Sequence, residues 1–161
     1  VGVVHPPLFG EVYEGVAGHG ASSLAPDGTR RRLAVSSIAS LADARMVSSY
    51  SHRSETVDKL RQSAGIKDEL NIGSLGLKLA LIAAGERDLY ANPGGRAKLW
   101  DTCAPEVLLV EAGGTLSDCR GAPVDYRSPD LALRRGLLAT NGRFHAAALE
   151  RLAPLLPASL R

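Results

Sequence analysis

The chain has 161 residues with a formal net charge of +2; 45% of the residues are hydrophobic and 22% are charged. These values are ordinary for a globular protein of one domain or slightly more, and they allow a sizeable core. The small charge argues against a nucleic-acid partner, the two cysteines give neither a disulfide framework nor a metal-ligand spacing, and no apolar run approaches the ~18 residues of a membrane span. With no secretory signal recognised, a cytoplasmic location is expected.

The first thirty residues have the pattern of β structure. Two β-prone runs, residues 1–4 and 11–16, are joined by a connection rich in proline and glycine and predict an antiparallel hairpin. Residues 26–28, Pro-Asp-Gly, are typical of a β-turn. The arginines at 30–32 are expected to flank a strand on its solvated side. Because a natural chain rarely starts inside a strand, we expect a fragment or a processed product.

From residue 31 onward, strands alternate with helices. Strands are predicted at residues 33–36, 46–49, 70–72, 88–90 and 136–140. Helices are predicted at residues 54–64, 75–84, about 101–112 and 143–152, with a hairpin around 120–121. This alternation indicates a layered α/β domain, with a mixed sheet and helices on both of its faces.

The run from Trp100 to Gly114 sets a carboxylate at the start of an apolar helix. Asp101 is predicted as the N-cap, Pro105 is expected where first-turn amides lack partners, and Gly113 is expected to end the helix. The predicted buried side consists of Val107, Leu108 and Val110. Taken alone, these features favour a well-capped core helix.

Lys78 is the only charged residue between Asn71 and Ala84. It falls in the first turn of a predicted helix, where the helix dipole disfavours a cation, so helix stability does not explain it. One interpretation is a snorkelling lysine whose stem covers apolar surface. The other is a phosphate-binding lysine beside the amides of residues 73–76, although the spacing is not that of a Walker loop.

Ser51 and His52 follow a predicted strand. Ligands in α/β proteins bind at the carboxyl ends of strands, which favours these residues as substrate contacts. The simpler interpretation is a partly exposed loop histidine.

Three separated elements together carry a family resemblance. Residues 100–114 (Trp-Asp, small residues, then Glu-Ala-Gly-Gly), 73–78 (Gly-Ser-x-Gly-x-Lys) and 51–52 (Ser-His) resemble the lithium-sensitive, magnesium-dependent phosphatases that include the inositol monophosphatases. Within this superfamily the Thr-Cys-Ala-Pro-Glu variant most resembles the 3'(2'),5'-bisphosphate nucleotidases. The resemblance covers essentially the whole chain.

The resemblance implies a magnesium cofactor and roles for individual residues. Asp101 would be the catalytic Mg²⁺ ligand that this part of the protein contributes, and Thr102 would place a hydroxyl near the metal. The substrate contacts implied by the resemblance are Ser51, His52, Ser74, Gly76, Lys78, Asp101 and Thr102.

The resemblance also implies a truncated protein, because in the family the opening strands lie in the middle of the chain. Residues 1–30 would be the remnant hairpin of an N-terminal α+β metal-binding domain, and residues 31–161 would be the C-terminal α/β phosphatase domain. Asp27 lies in a sequence similar to the family's metal-binding box, but the box's first aspartate is missing and its position is wrong, so Asp27 is predicted to be a turn residue. The chain alone is expected to need its missing half and to be inactive, and a homodimer is left open.

The implied activity is removal of the 3'-phosphate from 3'-phosphoadenosine 5'-phosphate, a step of nucleotide recycling in sulfur assimilation. Asn92 departs from the family pattern, because inositol phosphatases carry a glutamate there and several nucleotidases an arginine. The missing glutamate counts against inositol phosphate, and the missing arginine leaves the phosphate end open. The alternatives are an inositol monophosphatase or a fructose-1,6-bisphosphatase-like sugar phosphatase, and a non-catalytic module for nucleotide binding or assembly.

Overall fold

The computed structural model describes residues 1–8, 10–50, 54–94 and 97–160. The strands are β1 Gly2–Val4, β2 Val12–Val16, β3 Gly20–Leu24, β4 Arg30–Arg32, β5 Met46–Ser49, β6 Glu69–Ile72, β7 Leu89–Asn92, β8 Thr115–Ser117 and β9 Leu137–Thr140. The α-helices are α1 Glu55–Ala64, α2 Leu75–Ala83, α3 Leu99–Glu111 and α4 His145–Leu152. Short 3₁₀ helices cover Leu41–Asp43, Ala153–Leu155 and Ala158–Leu160. No helix among these residues is long and apolar enough to cross a membrane.

The first sheet is antiparallel, in the order β1-β2-β3-β4. The predicted hairpin of the first two strands is confirmed, with Gly2 opposite Gly15. The arginines at 30–32 do not flank a strand but form β4, and all three are exposed, as suits a charged edge strand. Asp27 lies in a turn, where its Oδ1 accepts a hydrogen bond from the Thr29 amide at 2.8 Å. Strand β1 is the other edge of this sheet among the described residues.

The second sheet is mixed, in the order β6-β5-β7-β9-β8. Strand β5 is parallel to β6 and β7, whereas β9 is antiparallel to β7 and β8. The strand predicted at 33–36 is wrong, because this segment has no continuous partner. Two of its backbone amides donate to carbonyls in different parts of the chain. The Leu33 amide donates to the Ala21 carbonyl at 2.8 Å, and the Val35 amide donates to the Ala112 carbonyl at 3.0 Å.

The helices cover both faces of the mixed sheet, as predicted. One face buries Met46 and Leu138 against α1 and α4, and the other buries Leu79 and Leu109 from α2 and α3. The first sheet packs on the outer side of α2 and α3 in a third cluster containing Tyr13. The contact is tight: a Cβ atom added to Gly2 would overlap the Ala104 carbonyl oxygen. The chain therefore stacks four layers, and the division at residue 30 stays a prediction.

A buried ion pair fixes the start of β7. Asp88 is 0% exposed, and its Oδ2 accepts hydrogen bonds from the Arg45 backbone amide and the Arg45 Nε, both at 2.8 Å. Ser36 donates its hydroxyl to the same carboxylate, and Asn141 in turn donates to the Ser36 oxygen at 3.0 Å. Burial raises the pKa of Asp88, but the bonds from Arg45 and Ser36 outweigh it and hold the pKa below its ordinary value. The cluster thus ties four chain segments together.

A partly buried histidine links the ends of β8 and β9. His145 Nε2 lies 2.9 Å from Ser117 Oγ, and Nδ1 lies 2.9 Å from Thr140 Oγ1. Ser117 donates its own hydrogen to the Asp118 carbonyl at 2.7 Å, so it accepts from Nε2, and the uncharged ring satisfies both hydroxyls. Burial lowers the pKa of His145.

We expect acid to destabilise the fold through this histidine. Because the pKa of His145 is lowered in the folded state, the unfolded chain takes up the proton first, and stability falls as the pH drops below ~6.5 and through the folded value. Thermal unfolding at pH 7.5 and 5.5 should show a larger loss for the parent chain than for His145→Gln. Replacement of the exposed His5 by glutamine is the control and should leave the loss unchanged. Equal losses in all three proteins would rule out the coupling.

Candidate functional site

A cavity of about 300 Å³ lies where the parallel strands β5, β6 and β7 end. It is lined by Ser49, Ile72, Gly73, Ser74, Leu75, Lys78, Tyr90, Asn92, Ala97 and Asp101. Three residues predicted from the sequence, Ser74, Lys78 and Asp101, are thus brought to one place from two helices. The carboxyl ends of parallel strands are the usual binding edge of α/β sheets.

Lys78 extends beneath the first turn of α2 and is 2% exposed. Its Nζ lies 3.2 Å from the Gly73 carbonyl oxygen, 3.1 Å from that of Ser74 and 5.5 Å from the centre of the Tyr90 ring. Burial lowers the pKa of Lys78 to about 8, and no carboxylate of the described residues forms an ion pair with it. The residue is almost fully buried, which argues against the snorkelling interpretation, in which the ammonium would stand in bulk water.

Ser74 is the N-cap of α2, and its Oγ accepts a hydrogen bond from the Leu77 amide at 3.3 Å. Its backbone has φ 55° and ψ 122°, and it is the only described non-glycine residue with a positive φ. The amides of Ser74, Leu75 and Gly76 donate to no described residue. Ser74 and Leu75 line the cavity, so the start of α2 places there two amides that have no partner among the described residues.

Asp101 is not the N-cap of α3, because the helix begins two residues earlier with Lys98 as its N-cap. Asp101 occupies the third helical position, and its Oδ2 accepts a hydrogen bond from the Lys98 amide at 2.8 Å. Its Oδ1 has no hydrogen-bond partner in the described part of the chain. Mg²⁺ is held by one or two carboxylates together with water and substrate phosphate, so this exposed carboxylate fits as one magnesium ligand. The described residues contain no group of three or more His, Cys, Asp or Glu that could hold a metal.

The interior of α3 also differs from the prediction. Pro105 lies in the middle of the helix rather than in its first turn, so the bond from residue 105 to the Asp101 carbonyl cannot form. Leu108 and Leu109 are fully buried, whereas Val110 is 51% exposed. Gly113, with φ 94°, follows the end of the helix as predicted.

Two predicted site residues do not line the cavity. Gly76 lies beside Val4 of β1, where an added Cβ atom would lie 3.4 Å from Val4 Cγ1, an ordinary van der Waals distance. Thr102 is fully buried; its hydroxyl donates to the Leu99 carbonyl at 3.0 Å and accepts from Tyr126 at 3.2 Å. Ser51 and His52 lie outside the described residues, and their roles stay predictions.

Two residues with structural roles, Tyr90 at the cavity and Glu111 at the end of α3, were not predicted from the sequence. Tyr90 carries the ring below Lys78; burial raises its pKa, although hydrogen bonds with Ser49 and Asn92 oppose the rise. Glu111 accepts hydrogen bonds from the Gly18 and Gly20 amides, both at 2.7 Å. The glycines at positions 18 and 20, between β2 and β3, were the sequence signal from which this contact could have been predicted.

Comparison with known proteins agrees with this architecture. The model of the "Inositol monophosphatase family" matches residues 1–159. The chain is 34% identical over 127 residues to the 3'(2'),5'-bisphosphate nucleotidase CysQ of Aggregatibacter actinomycetemcomitans, covering 78% of this chain and 46% of the relative. It is 31% identical over 139 residues to CysQ of Escherichia coli K12, covering 84% of this chain and 52% of the relative.

Solved structures show the same fold. The inositol monophosphatase of Anabaena superimposes with a TM-score of 0.74 at 28% identity, covering 99% of this chain and 60% of that one. The Thermotoga maritima IMPase superimposes with a TM-score of 0.77 at 24% identity, and the match covers 95% of this chain and 55% of that one. The chain spans about half the length of the curated relatives it matches. With the family model matching nearly every residue, the chain belongs to the inositol monophosphatase family.

Proposed function

We propose that the chain is part of a magnesium-dependent phosphomonoesterase that removes the 3'-phosphate from 3'-phosphoadenosine 5'-phosphate. The observation that carries the proposal is the cavity that brings the Asp101 carboxylate together with the buried Lys78 and the free amides of α2. A phosphate dianion needs positive charge and hydrogen-bond donors, and these groups supply both. The names of the curated relatives support a nucleotide as substrate.

In the proposed site, individual residues of the chain would have different roles in binding. Asp101 would hold Mg²⁺, which when bound neutralises phosphoryl charge and activates water. The amides of Ser74 and Leu75 would donate to phosphate oxygens, and the positive charge of Lys78 would favour the anion. Thr102 would act only on the packing of α3, because its hydroxyl is engaged within the core.

We further propose that the chain alone is inactive or nearly so. Phosphoester hydrolysis with two metal ions requires several carboxylates, and in the described residues the cavity has one. The relatives are about twice as long as their matched parts, which supports further ligands outside this chain. Phosphate release at the rates of ordinary enzymes, roughly 1–10³ s⁻¹, by the purified 161-residue chain would contradict the proposal.

The alternative is an inositol or fructose phosphate as the substrate, and the solved structures named as inositol monophosphatases favour it. Asn92 speaks against it. This residue lines the cavity and bonds the Gly94 amide at 3.2 Å, and its amide cannot provide the negative charge with which a carboxylate would bind sugar hydroxyls.

Calorimetry with the 161-residue chain separates these possibilities. We expect adenosine 3',5'-bisphosphate with Mg²⁺ to bind at least tenfold more tightly than inositol 1-phosphate, and Asp101→Asn to abolish the magnesium-dependent part of the affinity. Asp43→Asn, at an exposed carboxylate outside the cavity, is the matched control and should bind like the parent. Tighter binding of inositol 1-phosphate would overturn the nucleotide assignment. Binding without magnesium dependence would favour a non-catalytic binding module.

A further inference from the structure

The first turn of α3, which carries Asp101, lacks part of the internal bonding of a helix. Pro105 has no N–H group, so the Asp101 carbonyl receives no helical hydrogen bond from that residue. The Asp101 carboxylate is exposed, and the hydrogen bond that orients it comes from the Lys98 amide at 2.8 Å. The orientation of the candidate magnesium ligand therefore depends on how residues 97–99 are held.

A neighbouring segment holds these residues from outside the helix. Residues 118–136 join β8 to β9 and form a long connection for a compact domain, of the kind that often has a function. Two backbone hydrogen bonds link this segment to the start of α3, from the Leu133 amide to the Ala97 carbonyl at 3.0 Å and from the Leu99 amide to the Leu131 carbonyl at 2.9 Å. They flank an antiparallel bridge between Lys98 and Ala132. The residue whose amide binds Asp101 is thus fixed by a short ladder.

The same segment contacts α3 beyond Asp101 through Tyr126. The Tyr126 hydroxyl lies 3.2 Å from Thr102 Oγ1 and within hydrogen-bond distance of a Glu106 carboxylate oxygen. Thr102 is fully buried and donates its own hydrogen to the Leu99 carbonyl at 3.0 Å. The segment therefore binds α3 on both sides of Asp101, before it through the ladder and after it through Tyr126.

Local hydrogen bonds connect these two attachments. The Ser128 hydroxyl donates to the Asp130 carbonyl at 3.1 Å, and the Ala132 amide donates to Asp130 Oδ1 at 3.0 Å. Bonds of this kind, from serine or aspartate side chains to nearby backbone, stabilise turns. Tyr126 and the ladder are therefore the two ends of one stretch that is stiffened by its own bonds.

We propose that Tyr126 is a positioning residue for Asp101. Its hydroxyl fastens the 118–136 segment to α3 and thereby keeps the Lys98 amide directed toward the carboxylate. Tyr126 does not line the cavity, so it acts only through these contacts. The inference rests on the proposed function for the role of Asp101 as a magnesium ligand. The hydrogen bonds exist without a metal ion, so they can be tested separately.

Amide hydrogen exchange tests the positioning in the ligand-free chain. Tyr126→Phe removes the hydroxyl and keeps the ring, and we expect the Lys98 and Leu99 amides to exchange roughly fivefold faster than in the parent, as for the loss of one hydrogen bond. Tyr13→Phe is the matched control, because it also removes a tyrosine hydroxyl bound to a glutamate, Glu11 at 3.0 Å, in the first sheet. It should leave both rates unchanged. Equal rates in the two variants, or a uniform acceleration across the chain, would overturn the proposal.

Magnesium-dependent binding tests whether the positioned group is the metal ligand. In calorimetry with adenosine 3',5'-bisphosphate, Tyr126→Phe should lower the apparent Mg²⁺ affinity roughly three- to tenfold, less than or at the lower end of the ~10–100-fold typical for a group bonded directly to a metal ligand. Glu106→Gln keeps an acceptor for the hydroxyl and should retain most of the affinity, whereas Glu106→Ala should not. Tyr13→Phe should bind like the parent.

The two measurements separate the possible failures. Faster exchange at Lys98 with an unchanged Mg²⁺ affinity would overturn the role of Tyr126 toward Asp101. If the parent chain showed no magnesium-dependent binding of the nucleotide, the proposed function would fail. The exchange rates would then still decide whether Tyr126 holds residues 97–99.

Discussion

Replacement of Asp88 by asparagine is expected to lower the free energy of unfolding by about 3 kcal/mol. The carboxylate is fully buried, so its removal leaves the Arg45 charge without its partner and the Ser36 hydroxyl with a weaker acceptor. The estimate lies at the lower end for buried pairs because the Arg45 side chain is 31% exposed and can recover some hydration. For a chain of this length the melting temperature should drop by roughly 6–12 °C.

A second aspartate–arginine pair provides the control. Asp125 and Arg127 pair at 3.2 Å with both side chains largely exposed, and Asp125→Asn should change stability by no more than about 0.5 kcal/mol. Urea unfolding of both variants at pH 7 measures the contrast. A loss below 1 kcal/mol for Asp88→Asn would show that the buried pair contributes no more than a surface pair.

Replacement of Lys78 by methionine is expected to stabilise the ligand-free chain and to weaken anion binding. The pKa of Lys78 is about 8, against 10.5 for the free side chain, so the protonated lysine costs the fold about 3 kcal/mol near pH 7. Methionine removes this cost and keeps most of the apolar stem, but it also loses the contacts to Tyr90 and to two carbonyls. We therefore expect a net gain of about 1–2 kcal/mol at pH 7.

The pH dependence identifies the origin of that gain. Between about pH 8 and 10.5 the folded chain releases the Lys78 proton while the unfolded chain retains it, so the parent gains stability as the pH rises. The advantage of Lys78→Met should therefore shrink from pH 7 to pH 9.5, as measured by urea unfolding, and Lys67→Met, at an exposed lysine, is the control and should show no such trend. An advantage that is constant with pH, or a methionine variant less stable at pH 7, would contradict this account.

Local chemistry determined how well each element could be predicted. Helix α1 was predicted in full, because the Ser54 cap, the apolar face and the left-handed Gly65 act within a few residues of one another. The start of α3 was misplaced because Asp101 caps by reaching back to the Lys98 amide, a geometry that leaves no trace in residue 98 itself. Segment 33–36 has residues that favour a strand, but a strand forms only where a neighbouring strand provides continuous backbone hydrogen bonds, and this segment has no such neighbour.

The candidate site was predictable only in part. Ser74, Lys78 and Asp101 were found through motifs, whereas the contact of Tyr90 with Lys78 depends on how β7 lies beside α2. The pair of Arg45 and Asp88 joins residues that are 43 positions apart, and no local pattern specifies it. Ser51 and His52 stay predictions.

The contact of Glu111 with the first sheet has a mechanical consequence. Glu111 stands at the last position of α3, while Asp101 stands in its first turn, ten residues or about 15 Å away along a continuous helix. The two bonds from the Gly18 and Gly20 amides therefore hold the last residue of the helix whose first turn carries the candidate magnesium ligand. The first sheet thus contacts α3 at the end opposite to Asp101, and the position of this helix relative to the mixed sheet depends partly on those two bonds.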